Sequence, residues 1–507
     1  MDRTIVLNGS TLTTEEVTAI ARGGARTEIA GESREKAVAV RKMVMEMLED
    51  RNLPRIYGFN TGVGMNKDWD ISADGLERFN RCMIYSHSAG VDPEASEEEV
   101  RATLVVRLNC LLTQCAGVQP EVMYMYEDFL NHGIHPVMPS RGSIGESDLV
   151  NLAHIGLAFM GEGEVNYNGA RMGAAEAMKK AGLSPLQLGC KDGLSIVNSS
   201  AYGVGTASLL MEDTRALMDM IDLIYALALE GLGGHVTPLD PKVYEPRPVP
   251  GPMYAAAQVR SYLQGSFLWG PRTGKSLQDP LCFRSACHVN GAVRDAMDYV
   301  DKFLSLQLNC SDENPCLIEK ERRIISCSNF DPTSLAIGFE MLGLALAHVS
   351  KNICYQLIKL GNNYFTDLPR FLSPDGTSVM AYTTNQKTYT MLDAENRLLA
   401  NPVSMDYISV SGEVEDHATN LPLVIRKTAR MVDNLRYMLG MECYHAAQAV
   451  DLRDKKPLGA ATQKAYTAIR EIIPFLSEDR VISTDIRKGY DLVKSGKLAK
   501  IARDHAV

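Results

Sequence analysis

Apolar residues recur at helical spacing over stretches much longer than a strand can use. Residues 209–232 read LLMEDTRALMDMIDLIYALALEGL. Leucine, methionine and isoleucine return every three or four positions, which puts them on one side of a helix. Gly233 and Gly234 follow directly and supply a stop. Residues 336–360 and 415–450 show the same period. Alternating β-branched runs bounded by hairpin turns are scarce. A proline-rich connector, HVTPLDPKVYEPRPVPGP at 235–252, separates helical segments and removes backbone donors. The pattern predicts a mainly α protein with a long central antiparallel helical bundle. The expected division is an N-terminal, loop-rich part over 1–190 that carries the active-site loops. A bundle with C-terminal helices follows over 191–507, the whole forming one continuous fold.

Charge and composition narrow the function. The 507 residues carry a formal net charge of −10, which argues against a nucleic-acid partner, since phosphates require a basic face. The apolar segment at 336–360 is interrupted by Glu340, His348 and Lys351, so it reads as a buried soluble helix and not a membrane span. The start, MDRTIVLNGSTLTTEE, lacks the basic and apolar regions of a signal peptide. Eleven cysteines without metal-type pairs read as reduced thiols in a cytoplasmic protein, with no metal implied.

Several short stretches carry residues suited to chemistry. IYGFNTGVG, at 56–64, packs three glycines around Tyr57. Such a loop is either a turn with a packed tyrosine or a mount for a general base whose pKa of about 10 is lowered by nearby cations. His87 in SHSAG is either structural or a pocket residue. Asn198 in GLSIVNSS can cap a turn or bond a carboxylate. Arg284 in LQDPLCFR is suited to bidentate carboxylate capture. Glu415 lies in the acidic EDHA stretch. Lys67, in GMNKDWD, and Lys387, in NQKTYTMLDAEN, are two further cations of interest.

Together and in this order, YGFNTGVG, SHSAG, MPSRGSIGESDLVNLAHIG with GEGEV, GLSIVNSS, LQDPLCFR, AENRLLANP and EDHA closely resemble the histidine and aromatic amino-acid ammonia-lyases. The resemblance runs from Thr11 to at least Arg453. It implies that Tyr57 is the base that removes the β-proton. It also implies that Asn198 and Arg284 hold the substrate carboxylate, and that His87 and Glu415 line the side-chain pocket. It further implies a homotetramer whose active sites are each assembled from three subunits.

The departures from the family matter as much. In the family an Ala-Ser-Gly triad cyclises to a methylidene-imidazolone, the electrophile that lets ammonia leave. Here the corresponding stretch reads Glu146-Ser147-Asp148 with one residue fewer, so no such prosthetic group is expected. Leu281 replaces a tyrosine common in the family after QDP, and Lys387 replaces an apolar residue. A buried cation is costly unless it meets an anion or acceptor. A quaternary trimethylammonium needs no electrophile, because it leaves as neutral trimethylamine. The expected activity is therefore a carbon–nitrogen lyase that eliminates trimethylamine from ergothioneine, the betaine of 2-thiohistidine, giving thiourocanate without a cofactor. Lys387 or Lys67 would meet the sulfur. The alternatives are an inactive lyase-fold protein that binds a betaine or a protein partner, and an ammonia-lyase acting on histidine or a related amino acid.

Overall fold

The computed structural model describes residues 3–50, 52–271, 276–376, 378–453 and 456–507. It is mainly helical, with four small sheets of two or three short strands among the described residues. The chain groups into two compact units. One comprises Met1–Glu212, Asp301–Ile337 and Pro402–Arg426; the other comprises Asp213–Val300, Gly338–Asn401 and Lys427–Val507. A division at residue 190 was expected, but the first unit extends to Glu212 and takes in two later segments. The cause is that the unit boundaries fall within long helices, Ala201–Leu232 and Leu421–Asp451 among them. A linear reading of composition does not register a chain that returns to an earlier unit.

In the first unit the helix Glu97–Leu111 opens with a capping box between Ser96 and Glu99. Every residue from Val100 to Leu111 is buried. Arg107 lies inside it and pairs with Asp312 at 2.6 Å and Glu313 at 2.8 Å. Burial works against this guanidinium's charge, but the two carboxylates outweigh it and the net shift is upward. Its Nε also donates to the Ser195 carbonyl at 3.0 Å. One buried cation thus ties the segment at 301–337 to the short helix Asp192–Val197, which ends at Asn198. Removing either partner would strand a buried charge, a loss on the order of 3–5 kcal/mol.

In the second unit the long helices are joined by buried polar contacts as well as apolar packing. Asn290 donates to Asp222 at 2.8 Å and Arg294 pairs with Asp219 at 3.3 Å, so helix Ala286–Leu308 runs antiparallel to helix Ala201–Leu232 there. Lys427 pairs with Glu340 at 2.5 Å, and Asn434 donates to Asn396 at 2.9 Å. A Cβ on Gly231 would lie 2.9 Å from the Ala449 methyl, so a glycine is needed for the helices to approach this closely. Helix Thr333–Leu360 is long and apolar enough by length and composition to cross a membrane, yet 56% of its most apolar window is buried inside the protein. With Glu340 of that helix paired to Lys427, it packs as a core helix.

The expected helices begin at different points. The one read from 209 starts at Ala201, and the one read from 415 starts at Leu421. Residues ahead of Leu421 are held in a loop instead: the amides of Thr419 and Asn420 both donate to the Ile144 carbonyl, at 3.2 and 2.6 Å.

Candidate active site

A cavity of about 710 Å³ opens in the first unit. Tyr57, Lys67, His87, Asn198 and Glu415 all line it, although they come from distant parts of the sequence. Phe79, Met83, Leu194 and Phe330 supply apolar wall, and Asn314, Ser326 and Cys327 supply polar wall.

Tyr57 stands at the head of the glycine loop. Gly58 has φ +62°, and a Cβ there would lie 2.4 Å from Leu194 Cδ2. Only glycine lets the loop lie this close to the helix Asp192–Val197. The Tyr57 hydroxyl accepts from the Gly64 amide at 3.2 Å. Burial pushes the phenol's pKa up, the Gly64 bond pulls it down, the Glu415 and Glu146 carboxylates push it up, and Lys67 pulls it down; the net is upward. The expectation that cations lower this tyrosine is therefore not met by the surroundings of a single chain. Lys67 is exposed and spends its charge partly on Asp68, 3.1 Å away.

His87 closes the helix Leu76–His87. Its Nδ1 lies 2.8 Å from the Met83 carbonyl. A carbonyl only accepts, so Nδ1 carries the hydrogen, and Nε2 of the neutral ring remains an acceptor. Glu415 is held from its own loop: Ser411 Oγ donates to its Oε2 at 2.5 Å.

Asn198 is buried, with both ends of its amide engaged. Nδ2 donates to the Asn314 carbonyl at 2.9 Å, and Oδ1 accepts from Ser147 Oγ at 2.7 Å. One Nδ2 hydrogen is left for a ligand. Ser147 itself sits at φ +62°, in the left-handed region. This turn is tightly held. Thr419 Oγ1 donates to the Gly145 carbonyl at 2.8 Å, Ser143 Oγ to Asp148 Oδ1 at 2.7 Å, and the Gly203 amide to Asp148 Oδ2 at 2.8 Å. Burial raises the Asp148 carboxyl to about 6 despite the Gly203 amide, the Ser143 hydroxyl and the Tyr202 amide.

The turn does not fit the family's prosthetic group. Cyclisation requires the amide nitrogen after the serine to attack the carbonyl before it. Here that nitrogen belongs to Asp148, and its hydrogen is given to the Ser199 carbonyl at 2.6 Å. The preceding residue carries a carboxylate side chain, Glu146, which also lines the cavity. Burial and the neighbouring Glu415, Asp416 and Asp331 raise Glu146 to about 7.

Arg284 and Lys387 are not among the residues lining this cavity. Both belong to the second unit and are exposed, Arg284 in helix Leu281–Arg284 and Lys387 in helix Asn385–Leu399. Leu281 is 63% exposed. Sequence reading assigned no site role to Glu146 or Ser147. Their signal was present as the altered triad, but a substitution shows what is lost more readily than what is gained.

The aromatic amino acid lyase family matches residues 12–471, and the chain belongs to it. Membership makes it a carbon–nitrogen lyase. It is 34% identical to a histidine ammonia-lyase of Alkaliphilus metalliredigens over 495 residues, 97% of each chain. Among solved structures it resembles the ergothioneine-degrading enzyme ergothionase of Treponema denticola, with 47% identity, a TM-score of 0.95, and 98% and 99% of the two chains covered. It also resembles histidine ammonia-lyase of Trypanosoma cruzi, with 27% identity, a TM-score of 0.91, and 99% and 96% covered.

Proposed function

We propose that this lyase eliminates trimethylamine from ergothioneine to give thiourocanate, without a methylidene-imidazolone. The observation that carries the reading is the turn at 146–148. It lacks the atoms of the electrophile and commits the Asp148 amide elsewhere, while a candidate base, carboxylate contact and ring contact line one cavity. The 47% identity to the Treponema denticola enzyme supports it.

Tyr57 takes the β-proton, the C–H electrons become the Cα–Cβ double bond, and the C–N bond breaks with its electrons on nitrogen. The departing group is neutral trimethylamine, so no electrophile is needed to draw it away. Asn198 and Arg284 hold the carboxylate, Glu415 accepts an imidazole N–H, His87 borders the ring, and Lys387 or Lys67 meets the sulfur. A Tyr57 phenolate needs more positive charge than Lys67 provides. Arg284 and Lys387, which make no ion pair among the described residues, supply it from neighbouring copies in a cytoplasmic homotetramer.

Purified protein incubated with ergothioneine releases trimethylamine and develops thiourocanate absorbance. No release from ergothioneine, or ammonia release from histidine in the same assay, overturns the reading; the curated histidine ammonia-lyase relatives make histidine the necessary control. Intact mass equals the sequence mass apart from N-terminal processing, whereas a deficit of two waters would reveal cyclisation.

A further inference from the structure

The cavity holds a carboxylate to which the family resemblance gives no task. Glu146 is half-buried in its wall, and its side chain accepts no hydrogen bond and makes no ion pair among the described residues. We propose that Glu146 is the substrate's cation contact, receiving the quaternary ammonium group against its carboxylate and so selecting betaines; this rests on the trimethylamine-lyase reading above.

The placement follows from covalent geometry. Ser147 bonds Asn198 directly, at 2.7 Å, so the next residue back along the turn lies beside the carboxylate contact. In an α-ammonium acid the carboxylate and the nitrogen hang from the same carbon. A ligand whose carboxylate meets the free Nδ2 hydrogen of Asn198 therefore carries its nitrogen to the neighbourhood of this turn. Asp148, on the other side of Ser147, cannot serve: it is fully buried, with its oxygens taken by Ser143 and the Gly203 amide. Glu146 alone of the three is both acidic and in the cavity wall.

The electrostatics agree. Burial, and then the unfavourable charges of Glu415, Asp416 and Asp331, hold the Glu146 carboxyl near 7. Tyr57, Lys67, His87, Cys82 and Cys327 are the other titratable groups of the cavity wall. A cation entering here relieves the repulsion, so the ionised form of Glu146 and the bound betaine favour each other. A trimethylammonium has no N–H to donate and makes only a charge contact through its methyl groups, which a carboxylate without a fixed hydrogen-bond geometry can provide. The positive charge is present in the bound substrate and disappears as the C–N bond breaks. The contact therefore favours substrate capture and gives the chemical step no help.

The test compares the parent with Glu146→Gln, which keeps the shape and removes the charge. The variant is expected to raise KM for ergothioneine by about tenfold or more, with kcat within about threefold of the parent. Competitive inhibition by trimethylglycine, which carries the same cation and carboxylate, weakens in parallel. Inhibition by thiourocanate, which has no cation, does not change. A kcat collapse at unchanged KM would make Glu146 a proton carrier and overturn the proposal, as would unchanged KM and kcat. Equal weakening of trimethylglycine and thiourocanate would reduce the residue to a structural role and overturn it too. If the parent does not act on ergothioneine, it is the lyase reading that fails. Calorimetric titration of parent and variant with trimethylglycine then still decides the cation contact: tighter binding by the parent supports it, and equal binding sinks it.

Discussion

The cavity of the first unit and the exposed end groups of the second carry opposite charge. Around the cavity stand Glu146 and Glu415, with Asp331 and Asp416 close enough to raise Glu146. Lys67 is a cation in the wall, and it is exposed and paired with Asp68. The second unit presents Arg284 and Lys387 to solvent. The substrate proposed above, a zwitterionic betaine with a polarisable thioimidazole, needs both signs. In that proposal the acidic set takes its cation and ring N–H, and the cationic set its carboxylate and sulfur. Burial first, and then the Glu415 and Glu146 carboxylates, hold the Tyr57 phenol up against the Gly64 amide and Lys67.

The largest effect should come from the acidic side. Replacing Tyr57 with Phe removes the proposed proton acceptor and is expected to lower kcat by about 10²–10⁴-fold. Co-expressing Tyr57→Phe with Arg284→Met, each inactive or nearly so alone, should restore activity in mixed assemblies if subunits share sites. Steady-state rates of the purified hybrids measure this, and no recovery would mean that both groups must come from one chain.

On the cationic side, Lys387→Met should lower kcat/KM for ergothioneine by about a hundredfold and for histidine betaine by much less. A site built for a polar contact penalises its loss strongly. Equal turnover of the two substrates by the parent would remove Lys387 from sulfur recognition and leave Lys67 as the cation to test.

A smaller change tests how the acidic side is held in place. Ser147→Ala deletes the donor that orients the Asn198 amide. Losing one such bond is worth about 1 kcal/mol, or roughly fivefold. The loss should fall on kcat/KM for ergothioneine and leave the melting temperature within a few degrees. Melting with no kinetic change would make the bond purely structural.

The smallest effect lies in the bundle and spares catalysis. Glu442 is fully buried, neither carboxyl oxygen has a hydrogen-bond partner among the described residues, and burial raises it to about 8. Its folded pKa is above the ordinary carboxyl value of about 4.3. The folded protein therefore holds a proton that the unfolded chain gives up. This contribution is complete below the unfolded value and is lost as pH rises from there to about 8. Glu442→Gln should make thermal melting less sensitive to pH across that window, gaining a few degrees on the parent at the alkaline end. A variant whose melting tracks the parent at every pH would show that the carboxyl has found a partner.

Much of this molecule is legible in its sequence. Period and length marked the long helices, because burying one face of a helix leaves a repeat that survives in the sequence. The ordered motifs marked Tyr57, His87, Asn198 and Glu415, and all four line one cavity. The altered triad was visible as three letters, Glu146-Ser147-Asp148, and with it the misfit to the cyclised group.

Tertiary structure alone decided what those letters do. The hydrogen bond from Ser147 to Asn198 spans 51 positions, and no periodicity encodes a contact at such separation. The same holds for Arg107, whose partners at 312 and 313 bring a distant segment to the helix that ends at Asn198. The late start of helix Leu421–Asp451 has a similar cause, since backbone bonds to Ile144 hold the preceding residues out of the helix although their composition permits it. Local pattern sets which elements can form, because burial of a repeat is a local property. Which carboxylate faces a cavity and which is capped by three donors depends on what the rest of the chain brings beside it.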